Sequence, residues 1–441
     1  MWKKNYLKLC VIFCFVSCFF VLPSQATEYA PNGKSYLEQT SNGKSLMHLE
    51  GSPYEIGYAM GYLHPESVFK MCSNEYLLGM IAYFTPLKFN HIKQFDFIIT
   101  IAKKVLKNIC RGHKRFIPQE YIEEMEGIAA GATDRGYPVS FDDVLFLNTG
   151  IDAMASIYYP LLVPFRKVIE APHSCNGFVA FGNATENSNV YMGRDLMYSA
   201  VIFSDYATLI EFVPENGKHF VSIAPPGFVG VFTGMNSHGI GIGMNLVFGV
   251  DVNPIDTGMG SLFLARQVAQ YSDSLESAKN ILRKAVKGVL WNYVIGDAAG
   301  KGAVIEASAK TFSVRDSNWK LPHDLKYIEI HEQIEGKNDL VVATNHYIRP
   351  LTFLQAGSFT IDDSIWRYKT LTGLLLDNYG NINGENGKKI IDFLHPPNYG
   401  YRSDDPDKAV DGSVTLFDLT NREVWSLFGK YSDSWAHFKL K

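Results

Sequence analysis

Near residue 170 the chain changes its hydrophobic period, and that switch limits its fold more than any other feature. From Pro53 to about Met154 apolar residues recur at spacings of three and four. They predict helices over 53–64, 67–84, 97–110 and 118–130. Pro118 at a first helical position, followed by Glu120, Glu123 and Glu124, fits a helix start. After His173, short apolar runs bounded by turn pairs such as Asn187-Ser188 and Asn236-Ser237 predict strands. These cover 177–181, 190–194, 206–213, 219–223, 229–233, 239–244, 292–295, 303–307 and 340–344. Helices interrupt at 261–271, 274–286, 364–376 and 388–394, and strands at 413–417 and 423–427 close the chain. Strand runs broken by helical pairs predict an α+β body of antiparallel sheets covered by helices, not a regular βαβ alternation.

Residues 1–26 stand apart from that body. Lys3, Lys4 and Lys8 precede the apolar-rich run from Leu9 to Leu22, and Pro23-Ser24-Gln25-Ala26 sets small residues where a signal peptidase cuts. A secretory signal peptide, and a secreted or periplasmic protein, are the expectation. Lipid attachment at Cys18 is the weaker alternative, because Phe15 stands where a lipobox wants Leu. No later segment is long and apolar enough for a stable membrane span.

Removing that segment takes Cys10, Cys14 and Cys18 with it and leaves Cys72, Cys110 and Cys175. An odd count in an oxidising compartment points to a free thiol. Cys72 and Cys110 both lie in the helical part and are placed to pair, which would leave Cys175 free. Three buried, inert thiols are the competing reading.

Composition narrows the function classes. With 46% apolar and 20% charged residues the chain is no disordered tail. A net charge of −4 offers no basic excess to hold a phosphate backbone, so no nucleic-acid partner is expected. The duplicated Asn-Gly-Lys-Ser at 32–35 and 42–45 predicts two turns, not phosphate loops, since Glu28 and Glu38 occupy the places of the required glycine. His331-Glu332-Gln333-Ile334-Glu335 has Glu335 where a zincin needs its second His, and no Gly-x-Ser-x-Gly elbow occurs. No metal and no cofactor are therefore expected.

What remains is a set of polar residues embedded in apolar strands. Cys175 opens the strand-rich part in the run from Pro172 to Gly182, and Gly193-Arg194 ends a second strand, as in a hairpin that returns Arg194 beside Cys175. Asn245 ends the run Gly239-Ile240-Gly241-Ile242-Gly243-Met244, Asn345 ends Val341-Val342-Ala343-Thr344, and Arg367 lies on the helix beginning near Ser364. Each alone reads more often as structural.

Together they resemble the N-terminal-nucleophile (Ntn) hydrolases of the penicillin-acyltransferase type, the peptidase C45 or acyl-CoA:6-aminopenicillanate acyltransferase family, related to choloylglycine hydrolases and acid ceramidase. The opening motif is Gly51-Ser52-Pro53-Tyr54-Glu55-Ile56-Gly57 with Gly61, and the nucleophile hairpin is Cys175 to Tyr198. Next come Gly234-Met235-Asn236-Ser237-His238-Gly239 and Gly243-Met244-Asn245-Leu246. Trp291 to Asp297 with Glu306, Ala343-Thr344-Asn345-His346 and Ser364-x-x-Arg367-Tyr368 complete the set in family order.

The resemblance implies a four-layer αββα sandwich and a precursor that cuts itself between Ser174 and Cys175. It divides the chain into a signal peptide (1–26), a helix-rich N-terminal chain (27–174) and a catalytic chain (175–441), the first-made chain staying as the heterodimer partner of the second. It implies Cys175 as nucleophile, with its own new α-amine as base; such an amine has an ordinary pKa near 8. Arg194 would hold the thiolate, Asn245 and Asn345 would donate N–H groups to the tetrahedral intermediate, and Arg367 would complete the frame. Relatives carry Gly-Arg-Asn-x-Asp with the last Asp on the amine, whereas this chain has Gly193-Arg194-Asp195-Leu196-Met197. Asp195, on the opposite strand face from Arg194 but the same face as Met197, is the available support. The implied substrate is a small-molecule or lipid acyl amide, either hydrolysed or passed to an acceptor amine. A phospholipase B-like acyl-ester hydrolase and a non-catalytic binding protein on the same scaffold are the alternatives.

Overall fold

Two sheets lie face to face with helices on both outer sides, in a computed structural model that describes residues 27–39, 44–84, 96–162, 175–198, 200–254, 258–319, 337–358, 362–394, 412–428 and 435–441. The larger sheet has ten strands. In spatial order they are β1 (Glu28–Tyr29), β2 (Tyr36–Gln39), β3 (Ser45–Gly51), β6 (Thr208–Pro214), β7 (Phe220–Ala224), β8 (Thr233–Asn236), β9 (Ile240–Leu246), β10 (Trp291–Asp297), β11 (Lys301–Ala307) and β12 (Phe312–Asp316). The smaller has six: β13 (Leu340–Ala343), β4 (Cys175–Ala180), β5 (Tyr191–Leu196), β14 (Ser413–Asp418), β15 (Glu423–Phe428) and β16 (Ala436–Lys439). Every pairing is antiparallel except β3 with β6.

Side-chain alternation along the strands separates three apolar interfaces. On β4, Val179 faces the other sheet, with Met192, Val221, Met235, Val294 and Val304. Its neighbours Phe178 and Ala180 face outward with Val342, Val414 and Leu416, against α11 (Asp362–Asp377) and α12 (Gly384–Asp392) through Leu371, Leu375 and Ile390. The outer face of the ten-stranded sheet, through Ile242, Met244, Ile295 and Ile305, packs on the third set. That set comprises α1 (Pro53–Leu63), α5 (Gln119–Asp134), α6 (Phe141–Leu162), α8 (Ser261–Tyr271) and α9 (Leu275–Lys284). The result is the expected αββα order of layers.

The opening motif is structural. Ser52 caps α1 in a capping box with Glu55, whose carboxylate accepts from Ser52 N at 2.9 Å, and Pro53 supplies a first-turn residue with no N–H to satisfy. Gly57 and Gly61 then lie directly on the α5 backbone. A Cβ at Gly61 would stand 2.2 Å from Ile128 O, and one at Gly57 would stand 1.9 Å from Glu124 O. Gly127 and Gly131 of α5 answer from the other side, so the two helices touch backbone to backbone. Gly61→Ala is expected to force the pair apart and destabilise the fold by about 1–3 kcal/mol, read as a lowered Tm. An unchanged Tm would show that the helices need no such approach.

Several sequence expectations change. The N-terminal chain is not helical from its start: β1, β2 and β3 add three strands, which short polar-rich runs without clear alternation did not announce. The predicted helix over 67–84 is two, α2 (Pro65–Met71) and α3 (Asn74–Phe84), broken at Cys72-Ser73. The predicted strand over 229–233 is mostly a loop, because Asn148 Oδ1 of α6 accepts from Val229 N and Gly230 N and takes those donors from any ladder. The edge strands β12 and β16 are additions. Cys72 and Cys110 are separate free thiols, not a pair, and burial pushes each up to about 12. Asn32–Ser35 forms its turn through Asn32 Oδ1, which accepts from Lys34 N and Ser35 N. In the second copy, residues 42–43 lie outside the described residues and Ser45 begins β3; the signal segment, Ser174 and His331 to Glu335 also lie outside them. Among the described residues no helix is long and apolar enough to cross a membrane.

Candidate active site

Cys175 is the first residue of β4, at one end of the sandwich, and is buried. The hairpin register pairs Cys175 with Leu196, Asn176 with Asp195 and Gly177 with Arg194. Arg194 is therefore a diagonal neighbour of Cys175 on the face between the sheets, and its Nη2 donates to Sγ at 3.2 Å. The same guanidinium donates to the carbonyl oxygens of Asn176, Asp195 and Met244, which fixes its plane. Room for this fully buried side chain comes from Gly243 of β9, where a Cβ would stand 2.5 Å from Arg194 Cδ. The alternating glycines of that strand let the sheets approach, which is why a polar residue fits in an apolar interface.

Two further segments close on Cys175. The turn after β13 brings Asn345, whose Oδ1 accepts from Cys175 N at 2.9 Å. Its Nδ2 donates to Leu246 O at 2.7 Å, so the amide has one orientation, carbonyl toward the cysteine nitrogen. Arg367, on α11, donates from Nη1 to Cys175 O at 2.8 Å and from Nη2 to Asn345 Oδ1 at 3.0 Å. Its Nε donates to Asp363 Oδ2, one turn earlier, at 2.8 Å. The nitrogen, carbonyl and sulfur of one residue thus each have their own partner.

The structure brings Cys175, Arg194, Asn345 and Arg367 into direct contact and places Asn245 on the facing sheet, bonded to the segment that carries Asn345. In this structure the side-chain amides of both asparagines have carbonyl partners. Asn245 Nδ2 donates to Ala343 O at 3.0 Å and Thr344 O at 3.3 Å, tying β9 to the turn that carries Asn345. Asn345 spends its amide on Leu246 and its backbone N–H on Ser364 Oγ at 2.8 Å. Donating to an oxyanion would require Asn245 to release one of its two carbonyls. Asp195 faces outward, away from the sulfur, and accepts from Asn176 Nδ2 at 3.0 Å. Met197 is buried in the outer core with Phe178 and Tyr368.

The supports, Arg315 apart, lie in the motifs quoted from the sequence, which assigned them no role. Asn292 Nδ2 donates to Thr344 O and His346 O at 3.0 Å each, and Ser364 Oγ lies 2.8 Å from His346 Nδ1. Burial, with Arg315 and Arg367 adding to it, lowers the His346 imidazole to about 3, so the ring stays neutral. Behind the turn, the buried Arg315–Glu306 pair at 3.2 Å anchors it, Glu306 Oε1 accepting from Ile348 N at 3.0 Å. The signal for Asn176 and Ser364 was present: Asn176 adjoins Cys175, and Ser364 lies one helical turn before Arg367.

Residues 185–431 match the family model described as acyl-coenzyme A:6-aminopenicillanic acid acyl-transferase, a span that includes Arg194, Asn245, Asn345 and Arg367. An uncharacterized protein of Archaeoglobus fulgidus is 45% identical over 416 residues, 92% of this chain and 67% of that protein. Protein dcd1B of Dictyostelium discoideum is 24% identical over 322 residues, and the chain spans 60% of its length and aligns over 68% of its own. Among solved structures, a variant of conjugated bile acid hydrolase from Clostridium perfringens aligns with a TM-score of 0.42 and 15% identity. That alignment covers 60% of this chain and 92% of that one.

Proposed function

The chain belongs to the acyl-coenzyme A:6-aminopenicillanic acid acyl-transferase family, and we propose that it cleaves acyl amides through a thioester on Cys175, after cutting itself between Ser174 and Cys175. In the self-cleavage, Sγ attacks the carbonyl carbon of Ser174 and the peptide C–N bond breaks. A thioester then joins Ser174 to the sulfur, and the freed nitrogen keeps the thiol proton. Water hydrolyses that thioester, leaving a carboxylate on Ser174 and an α-amine on Cys175.

In turnover the amine accepts the thiol proton and Sγ attacks the substrate carbonyl. The proton passes to the departing amine as the C–N bond breaks. The acyl group on sulfur goes to water or to an acceptor amine. An ordinary α-amine pKa near 8 suits both proton steps at neutral pH. The observation that carries this reading is the hold on Cys175: its nitrogen on Asn345 Oδ1, its sulfur beside Arg194 Nη2, its carbonyl on Arg367 Nη1. A buried backbone N–H and C=O need partners on any residue, but a structural cysteine needs no guanidinium at its sulfur.

The reading includes export behind residues 1–26 and a persistent pairing of 27–174 with 175–441. The pairing is supported by β3 lying parallel to β6 and by the buried Glu124–Arg266 pair at 3.0 Å, both of which cross the cut. Small-molecule and lipid acyl amides are the substrate class. Acid-quenching the purified protein during turnover of an acyl p-nitroanilide series is expected to leave one acyl group on the peptide that begins at Cys175. Turnover with an adduct on another residue, or none in the series, would contradict the assignment.

A further inference from the structure

Asp195 is fully buried, yet it does not reach the cysteine nitrogen. Its route to that nitrogen runs through a residue with no role in the family pattern as read from the sequence. Resting on the proposed nucleophile, we infer that Asn176 is a positioning residue, which together with Asp195 sets the hold of Arg367 on Asn345 and, through it, that of Asn345 on the Cys175 nitrogen. The contacts are continuous. Asp195 Oδ2 accepts from Asn176 Nδ2 at 3.0 Å, and Asn176 Oδ1 accepts from Arg367 Nη1 at 2.8 Å. Arg367 Nη2 donates to Asn345 Oδ1 at 3.0 Å, and that oxygen accepts from Cys175 N at 2.9 Å.

Donor and acceptor chemistry gives this chain of contacts one polarity. A carboxylate has only acceptors, so Asp195 turns the Asn176 amide with its NH₂ outward. The amide oxygen must then face Arg367, which has only donors. Arg367 is held from its other edge by Asp363, so its plane is set from both sides. Asn176, Asp195, Asn345 and Arg367 are all buried, which leaves little water to replace a lost partner. A carboxylate two residues earlier than the relatives' Asp, on the outer face of β5, thus acts on the amine at second hand. Met197, at the relatives' carboxylate position, builds the outer core instead.

The polarity can be reversed without losing the contact. Asp195→Asn removes the charge that orients Asn176, and Asn176→Asp sets two carboxylates together. Each single change is expected to lower kcat by about 10- to 100-fold, with KM within about twofold, since the amine and not the substrate pocket is disturbed. In the double variant Asp195→Asn/Asn176→Asp, the new carboxylate accepts from Arg367 and from the new amide, and kcat should return to within about threefold of wild type. Melting temperatures of the same four proteins separate the possible failures. Recovery of Tm without recovery of kcat overturns the positioning role. So does full kcat in Asp195→Asn, or a double variant no better than the weaker single. A wild type that turns over no acyl amide would overturn the proposed reaction, and the positioning role with it.

Discussion

Replacing Cys175 with alanine is expected to leave the chain uncut at Ser174-Cys175 and to lower acyl-amide turnover by about 10⁴-fold or more. Both losses come from one atom. Sγ is the attacking group on Ser174 in the precursor and on substrate afterwards, and alanine offers no nucleophile for either. The fold should survive, because Cys175 contributes one small side chain to a large apolar core, and removing it leaves the nitrogen and carbonyl contacts with Asn345 and Arg367 in place. Circular dichroism and gel mobility read the two halves of the expectation. A Cys175→Ala protein that is still cut at the same bond would remove self-cleavage from the account. One that is uncut but turns over normally would remove the nucleophile.

The second large effect is expected at Arg194. Arg194→Met keeps volume while removing the guanidinium, so the contact at 3.2 Å to Sγ and the donors to three buried carbonyls disappear together. Leaving those acceptors unpaired costs roughly 1–3 kcal/mol each when they stay dry. Activity should fall by about 100- to 1,000-fold, the range found when one preorganised electrostatic partner is deleted. Arg194→Lys is the informative companion. It restores a charge but presents a point, not a fork, so it cannot face the sulfur and all three carbonyls at once. Its kcat/KM should lie between those of Arg194→Met and wild type. If Arg194→Met keeps kcat/KM within about threefold, the arginine is a strut between the sheets and not part of the reaction.

Much of this arrangement was legible in the residues. The period change near 170 marked helices before sheets, and the spacing between Cys175 and Arg194 predicted a hairpin that the register of β4 and β5 fulfils. Asn345 and Arg367 stood out as polar residues ending or entering apolar elements, and both meet Cys175. The parts that stayed hidden depend on contacts between distant segments. Val229 and Gly230 look like a strand until Asn148, on a helix that precedes Cys175 in the chain, accepts from their N–H groups. No local pattern carries that information. The direction of an amide is equally invisible: Asn345 was expected to donate toward an intermediate, and only its neighbours, Leu246 O on one side and the donors Cys175 N and Arg367 Nη2 on the other, show that its carbonyl is the end turned to Cys175. The role of Gly57 and Gly61 needed α5 beside them, since a pair of glycines four apart reads the same on an isolated helix.

The proposed chemistry requires residue 175 to become the first residue of a chain. Intact-mass measurement with N-terminal sequencing of the purified protein tests this most directly. The expected result is two polypeptides that co-elute under native conditions and separate when denatured, the larger beginning at Cys175 and taking up one alkyl group on that residue. A single unbroken chain whose Cys175 resists alkylation would contradict it.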